Sequence, residues 1–286
     1  GARARSAPSA RGAASASAPA ADTLRVVTAL FDRADGGFVA HPMTRGPWDV
    51  RMMHGGAPAA LLAREIERVE PETDMVVARL TVEFLGGVPI GRVEVETQTV
   101  KPGKRFQLVE ATLDADGRRA CLARAVRLRR AQMPAAGATP TRVADPLAPP
   151  EHGEPFPGFV ERDDGMFYPD AAEIRLAGGE IGSGALAAWI RLRCELVPGE
   201  QPSPIARVAA AADFANGLSW ILPFEDWLFV NTDLTIHLHR EPEGEWIGLD
   251  AQTSVSEAGV GVASARLHDL HGPLGLCAQS LFVQRR

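Results

Sequence analysis

The sequence lacks any apolar run near the roughly 20 residues that a membrane-spanning helix needs. Its longest apolar stretches are strand-sized and broken by charge, which excludes a helical membrane protein. It also lacks a sustained Lys/Arg run, and its net charge is −6. Nucleic acid and anionic membrane surfaces demand a basic stripe that neutralises phosphate, so neither partner is expected. Cysteine is scarce. Cys121, Cys194 and Cys277 are odd in number and lack metal-ligand spacing, so the sequence implies no disulfide framework, no metal and no cofactor. That usage suits a reducing cytoplasm. Over 286 residues the hydrophobic fraction is 45%, enough for a substantial core in one large domain or two.

The chain is written twice. Val76 to Leu128 has a counterpart in Asn231 to Val283: Leu80-Thr81 returns as Leu234-Thr235, Gln98-Thr99 as Gln252-Thr253, and Ala111 and Leu113 as Ala265 and Leu267. One inserted residue then carries Gly117 onto Gly272, Ala123 onto Ala278 and Arg124 onto Gln279. Shared turn positions weigh more here than shared letters, since any two alternating strands look alike.

Residues 1–22, nearly all Ala, Ser, Arg, Pro and Gly, read as a disordered extension; they lack the continuous apolar segment of a secretory signal, and an organellar presequence has similar composition. The first unit, 23–131, opens with a hairpin around Asp35-Gly36-Gly37. A helix over Ala57 to Val69 follows, entered through His54-Gly55-Gly56, with Pro58 in its first turn and Arg64, Glu65, Glu67 and Arg68 on its polar side. Four strands come next: Val76 to Phe84, Arg92 to Val100, Phe106 to Leu113 and Ala120 to Arg130. Residues 132–160, rich in Pro, Ala and Gly, read as a linker. The second unit, 161–286, repeats the order: strands in Glu173 to Val197 around Gly178-Gly179, an Ala-rich helix in Pro204 to Leu218, and a meander from Trp227 to Val283. A helix set before a long antiparallel meander buries both apolar faces when the sheet curls around it. Two such units, paired edge to edge, remove exposed strand edges.

This order, with His54-Gly55-Gly56, Ala212-Asp213-Phe214, Asp233 through Leu238-His239-Arg240, and Gln279 near the last residues, resembles the double-hotdog acyl-CoA thioesterase II family over residues 24–286. The resemblance implies an α+β double hotdog that hydrolyses acyl-CoA to CoA and a carboxylic acid and associates into a homo-oligomer. It implies a catalytic Asp at Asp213 and a Gln at Gln279. The family's Thr or Ser falls two residues before Asp233, where this chain has Asn231; Thr232 keeps a hydroxyl next door. Consecutive strand residues face opposite ways, so only one of the two serves, and the alignment selects Asn231.

The residues themselves bear on that chemistry. Thioester hydrolysis needs an activated water, donors for the oxygen that becomes anionic and a hold on the acyl chain. Asp213 closes a mostly apolar helix, the setting in which desolvation strengthens a carboxylate as a base; the competing reading makes it a cap before Asn216-Gly217. Gln279 shares a strand face with Cys277, Leu281 and Val283, and there it is either a working carboxamide that holds water or a satisfied structural one. His54, Gly55 and Gly56 enter as a substrate-binding helix entrance, with backbone N–H groups that suit an oxyanion and glycines that allow close approach to the sheet or a ligand. An imidazole there is otherwise a packing residue. Lys101, Lys104 and Arg105, with Arg129 and Arg130, read as CoA-phosphate contacts or as a charged turn. A hotdog protein that binds acyl ligands without cleaving them is the alternative. A hotdog hydratase is disfavoured, because no His follows Asp213 nearby.

Overall fold

A computed structural model describes residue 1 and residues 29–70, 74–131, 147–158 and 165–286. The extension expected at 1–22 and most of the linker at 132–160 lie outside the described residues.

The first unit begins with the hairpin β1 (Phe31–Ala34) and β2 (Gly37–Ala40), turned through Gly36 at φ 71°. Helix α1 (Gly56–Glu67) follows, then the meander β3 (Met75–Phe84), β4 (Arg92–Lys101), β5 (Phe106–Ala115) and β6 (Arg118–Arg129). The second unit has β7 (Ala172–Glu180), β8 (Ala185–Leu192), α2 (Pro204–Ala212), the single turn α3 (Ala215–Leu218), and strands β9 (Trp227–Asn231), β10 (Asp233–Leu238), β11 (Ile247–Val255), β12 (Val260–Asp269) and β13 (Gly272–Arg285). The strands form one antiparallel sheet, ordered β1-β2-β4-β5-β6-β3-β10-β13-β12-β11-β8-β7, with β9 on the far half of β13. The α+β double hotdog expected from the sequence is the observed architecture, and the two halves join edge to edge at β3 and β10.

Two local expectations change. Gly178-Gly179 does not make the β7–β8 turn; it carries a bulge, and the chain reverses between Glu180 and Ala185. Arg64 is buried rather than on a polar side, since α1 packs against α2 on one side and the curled sheet on others.

The seam reveals the repeat. Thr81 pairs with Thr235, its own counterpart 154 residues away, and their hydroxyls lie 3.3 Å apart, so a pseudo-twofold axis passes between them. That single offset persists to the end of β13. Val109 pairs with Ala125 as Ala263 pairs with Gln279, and each ladder slips at the same place, after Leu113 and after Leu267. The inserted residue read from the sequence is therefore absent. Gln279 corresponds to buried Ala125 and not to Arg124, which is exposed and paired with Glu110.

The helices meet closely at the centre. A Cβ on Gly56 would sit 2.6 Å from the Ala210 carbonyl, so only glycine allows this approach. The residues Ala209 to Ala212 are all buried, and small side chains let α2 lie this near α1. Ser203 caps α2, its Oγ accepting from the Ala206 N–H at 3.3 Å, with Pro204 in the first turn.

Candidate active site

Asp213 ends α2, and its exposure is 7%. It caps nothing: α3 opens on Phe214 without a side-chain cap, and the Asp213 carboxylate turns instead toward β9 and β13. Asn231, the last residue of β9, donates from Nδ2 to Asp213 Oδ1 at 2.8 Å. Gln279 on β13 donates from Nε2 to the same oxygen at 3.2 Å and to the Asp213 carbonyl at 3.4 Å. Strand alternation decides between neighbours as expected. Thr232 is exposed and its hydroxyl reaches the Ser280 carbonyl, away from Asp213. Gln279 is buried with Cys277, Leu281 and Val283, the face read from the sequence.

One role shifts. The sequence reading gives the two carboxamides to a water, but their N–H groups are directed at Asp213. Two donors on one oxygen fix the rotation of the carboxylate and leave Oδ2 as the oxygen facing elsewhere.

His54 faces Oδ2. Its Nδ1 lies 3.1 Å from Asp213 Oδ2 and 3.0 Å from the Gly56 N–H. One nitrogen cannot serve both at once. With a proton on Nδ1 the ring donates to Asp213; without one it accepts from Gly56, and lone pairs then oppose each other across 3.1 Å unless the carboxyl carries the proton. The ring packs beside both Phe167, stacked at 4.8 Å, and Phe214 at 4.4 Å, and these two lie 5.7 Å from each other. Burial favours a neutral imidazole and pushes the His54 pKa down, against the opposing pull of Asp213, which favours the charged form. Gly55 makes room for Asp213, whose Oδ2 would lie 2.8 Å from a Cβ there, and for Phe84 of the sheet at 3.0 Å; Gly56 makes room for α2.

Asn216 is a participant the sequence reading took only as a turn signal. Its backbone N–H donates to Gln279 Oε1 at 3.0 Å, and its side chain donates to the Phe229 carbonyl at 2.9 Å. Cys121 and Cys277 lie close enough to feel the charge of Asp213, but burial pushes both thiols up to about 12, so they are packing residues and not nucleophiles.

A cleft of about 450 Å³ opens onto Asp213, His54 and Asn231. Its lining ranges from the buried side chains of Phe156, Met166 and Ile174 to the exposed ones of Leu85 and Phe282. Phe156 comes from the described part of the linker, which runs along β7 through the Phe156 N–H to Ile174 carbonyl bond. The Lys101–Arg105 turn is not at this cleft. It lies at the opposite end of β5 from the Ala115–Arg118 turn, about 30 Å away for a ten-residue strand.

The fold is a double hotdog, and the carboxylate held by two carboxamides and an imidazole opens onto its cleft. The sequence matches the acyl-CoA thioesterase N-terminal domain family over residues 44–129 and the acyl-CoA thioesterase C-terminal domain family over residues 134–283. The chain belongs to the acyl-CoA thioesterase family and is a thioester hydrolase. A comparison with curated protein sequences finds no match. Among solved structures it is similar to a candidate thioesterase from Novosphingobium aromaticivorans, at 22% identity, 88% of this chain, 98% of that one and a TM-score of 0.68. It is also similar to a hotdog-fold protein of unknown function from Alicyclobacillus acidocaldarius, at 18% identity, 89% and 95% coverage and a TM-score of 0.67. A third is the acyl-CoA thioesterase II TesB2 of Mycobacterium marinum, at 13% identity, 84% and 95% coverage and a TM-score of 0.59. These likenesses establish the fold. Among the described residues no helix is long and apolar enough to cross a membrane.

Proposed function

We propose that the chain hydrolyses acyl-CoA thioesters through a water activated by Asp213. The observation that carries this reading is the convergence of His54, Asn231 and Gln279, from three separate elements, on one buried carboxylate at the cleft. Asn231 and Gln279 hold Oδ1; Oδ2 takes a proton from water, and His54 shares that proton and returns it to the leaving thiolate. The Ala57 N–H is occupied by the His54 carbonyl, and the Gly56 N–H by His54 Nδ1 whenever that nitrogen carries no proton, so Gly55 N–H is the donor at the positive end of α1 that is left for the developing oxyanion throughout. The acyl chain occupies the buried end of the cleft at Phe156, Met166 and Ile174. The CoA moiety leaves by the exposed side, where Arg118 donates to the Gly87 carbonyl, so this arginine takes the phosphate role that the sequence offered to Lys101 and Lys104.

The experiment is thiol release from acyl-CoAs of short to long chain by wild type and by Asp213→Asn and Gln279→Ala. Wild-type release that falls at least about a hundredfold in Asp213→Asn supports the base assignment, the size expected for a lost general base. Binding without release from any acyl-CoA would replace this reading with an acyl-binding role.

A further inference from the structure

We propose that Asn216 is a positioning residue that keeps both carboxamides aimed at Asp213. This rests on the reading of Asp213 as the working carboxylate. A glutamine amide has two unlike ends, and only the nitrogen end suits a carboxylate. The Asn216 N–H, 3.0 Å from Gln279 Oε1, selects that end. Flipping the amide would set its oxygen against Asp213 Oδ1 and two N–H donors against each other.

The Asn216 N–H needs its own anchor. It lies in α3, a single turn of four residues with no side-chain cap, too short to persist by itself. The anchor is its side chain, whose Nδ2 donates to the Phe229 carbonyl on β9 at 2.9 Å. Phe229 and Asn231 lie two apart on β9 and so share a face. One residue therefore ties Gln279, through its backbone, to the strand that presents Asn231. The Asn216 side chain is kept at a cost in packing: exposure is 5%, and its Oδ1 is buried with no partner among the described residues. A residue kept for volume alone would be leucine, which leaves no acceptor unpaired.

The test is a double-mutant cycle of Asn216→Leu with Gln279→Ala, read as kcat and KM for acyl-CoA hydrolysis. Asn216→Leu is expected to lower kcat about tenfold or more, as small misplacements of reacting groups do, with KM little changed. The double variant is expected to be no worse than Gln279→Ala alone, because both remove one arrangement. Effects that multiply, or a kcat for Asn216→Leu within about twofold of wild type, would overturn the proposal. Asn216→Asp keeps the shape and supplies a second test should the leucine variant not fold. Its carboxylate repels the Phe229 carbonyl, whereas its protonated form donates to it, so activity relative to wild type should climb as pH falls; a profile parallel to wild type would count against the idea. If wild type cleaves no acyl-CoA, the function reading fails first, and the exchange rate of the Gln279 side-chain amide protons still decides here. They should be protected in wild type and exposed in Asn216→Leu; equal protection in both overturns the proposal.

Discussion

The two ends of the α1–α2 pair are related by the pseudo-twofold axis, yet they do opposite things. Where the start of α1 meets the end of α2, Gly55 clears space for Asp213, and His54, Asn231 and Gln279 surround its carboxylate. Where the start of α2 meets the end of α1, Ser203 donates to Glu67, and Arg64 donates to Glu200 from Nε at 2.8 Å and from Nη2 at 2.5 Å. A groove of about 540 Å³ lies there too, lined by Arg64, Glu67, Glu200 and Ser203. It is no smaller than the active cleft, so space does not distinguish the ends; donors do. The 154-residue offset places Val77 opposite Asn231 and Ala125 opposite Gln279, so the counterparts of the two carboxamides on Asp213 are both apolar. The acids of the second end are held otherwise, Glu200 by Arg64 and Arg33 and Glu67 by Ser203. The two ends of the duplicated core therefore differ: one carries the proposed site and the other a clamp.

The sharpest way to break this comparison is to remove one acid from each end. Asp213→Asn is expected to lower kcat by a factor of about 10² to 10⁴, while Glu67→Gln leaves kcat unaltered; equal losses in steady-state hydrolysis would end the distinction. At the clamp the expected loss is stability. Arg64→Ala removes a buried guanidinium that bridges Glu65 and Glu200 and leaves Glu200 with Arg33 and Arg68, so it should lower the unfolding free energy by about 1–2 kcal/mol in urea titration, with kcat at 25 °C retained.

Acid should act on the active end with smaller effect. Burial lowers the His54 pKa from 6.5, so the native state keeps this imidazole neutral. Its contribution to stability is full above pH 6.5 and is lost as pH falls below it, because the unfolded chain then takes up a proton that the native one refuses. Urea midpoints between pH 7.5 and 5 should therefore decline less steeply in His54→Gln; an unchanged slope would assign the decline elsewhere, with His268, also lowered by burial, as the first suspect. The smallest effect belongs to Glu67. Burial raises its pKa, so its charge is held at a cost, and Glu67→Gln should stabilise by about 0.5 kcal/mol at pH 7, read as a slightly higher melting temperature.

Much of the fold was legible because a repeat and strand alternation are local signals. Hairpin turns, both helices and the buried face of Gln279 all follow from period and punctuation. The late register was not legible. Gly117 and Gly272 align as letters but not as positions, since a glycine suits several places in a turn and only the ladder shows which residues face each other. Of the site, Asp213, Asn231 and Gln279 were found through a resemblance, and the choice of Asn231 over Thr232 through alternation. His54 stood out only as the entrance to a helix, because nothing within one unit says that the other unit's helix ends beside it. Asn216 carried the signature of a turn, and its role depends on a strand 13 residues on.

By itself the sequence determined the two-unit plan, the segments that become strands and helices, and which side chains on each strand turn inward. Those properties depend on residues a few positions apart, where φ/ψ preference and alternation act. Only the tertiary structure decided that the units pair through Thr81 and Thr235, that α1 and α2 run past each other with His54 against Asp213, and that one end of the pair holds carboxamides and the other ion pairs. Those contacts join residues far apart in the chain. They arise from burying two helices inside one curled sheet, and no local preference specifies which ends then meet.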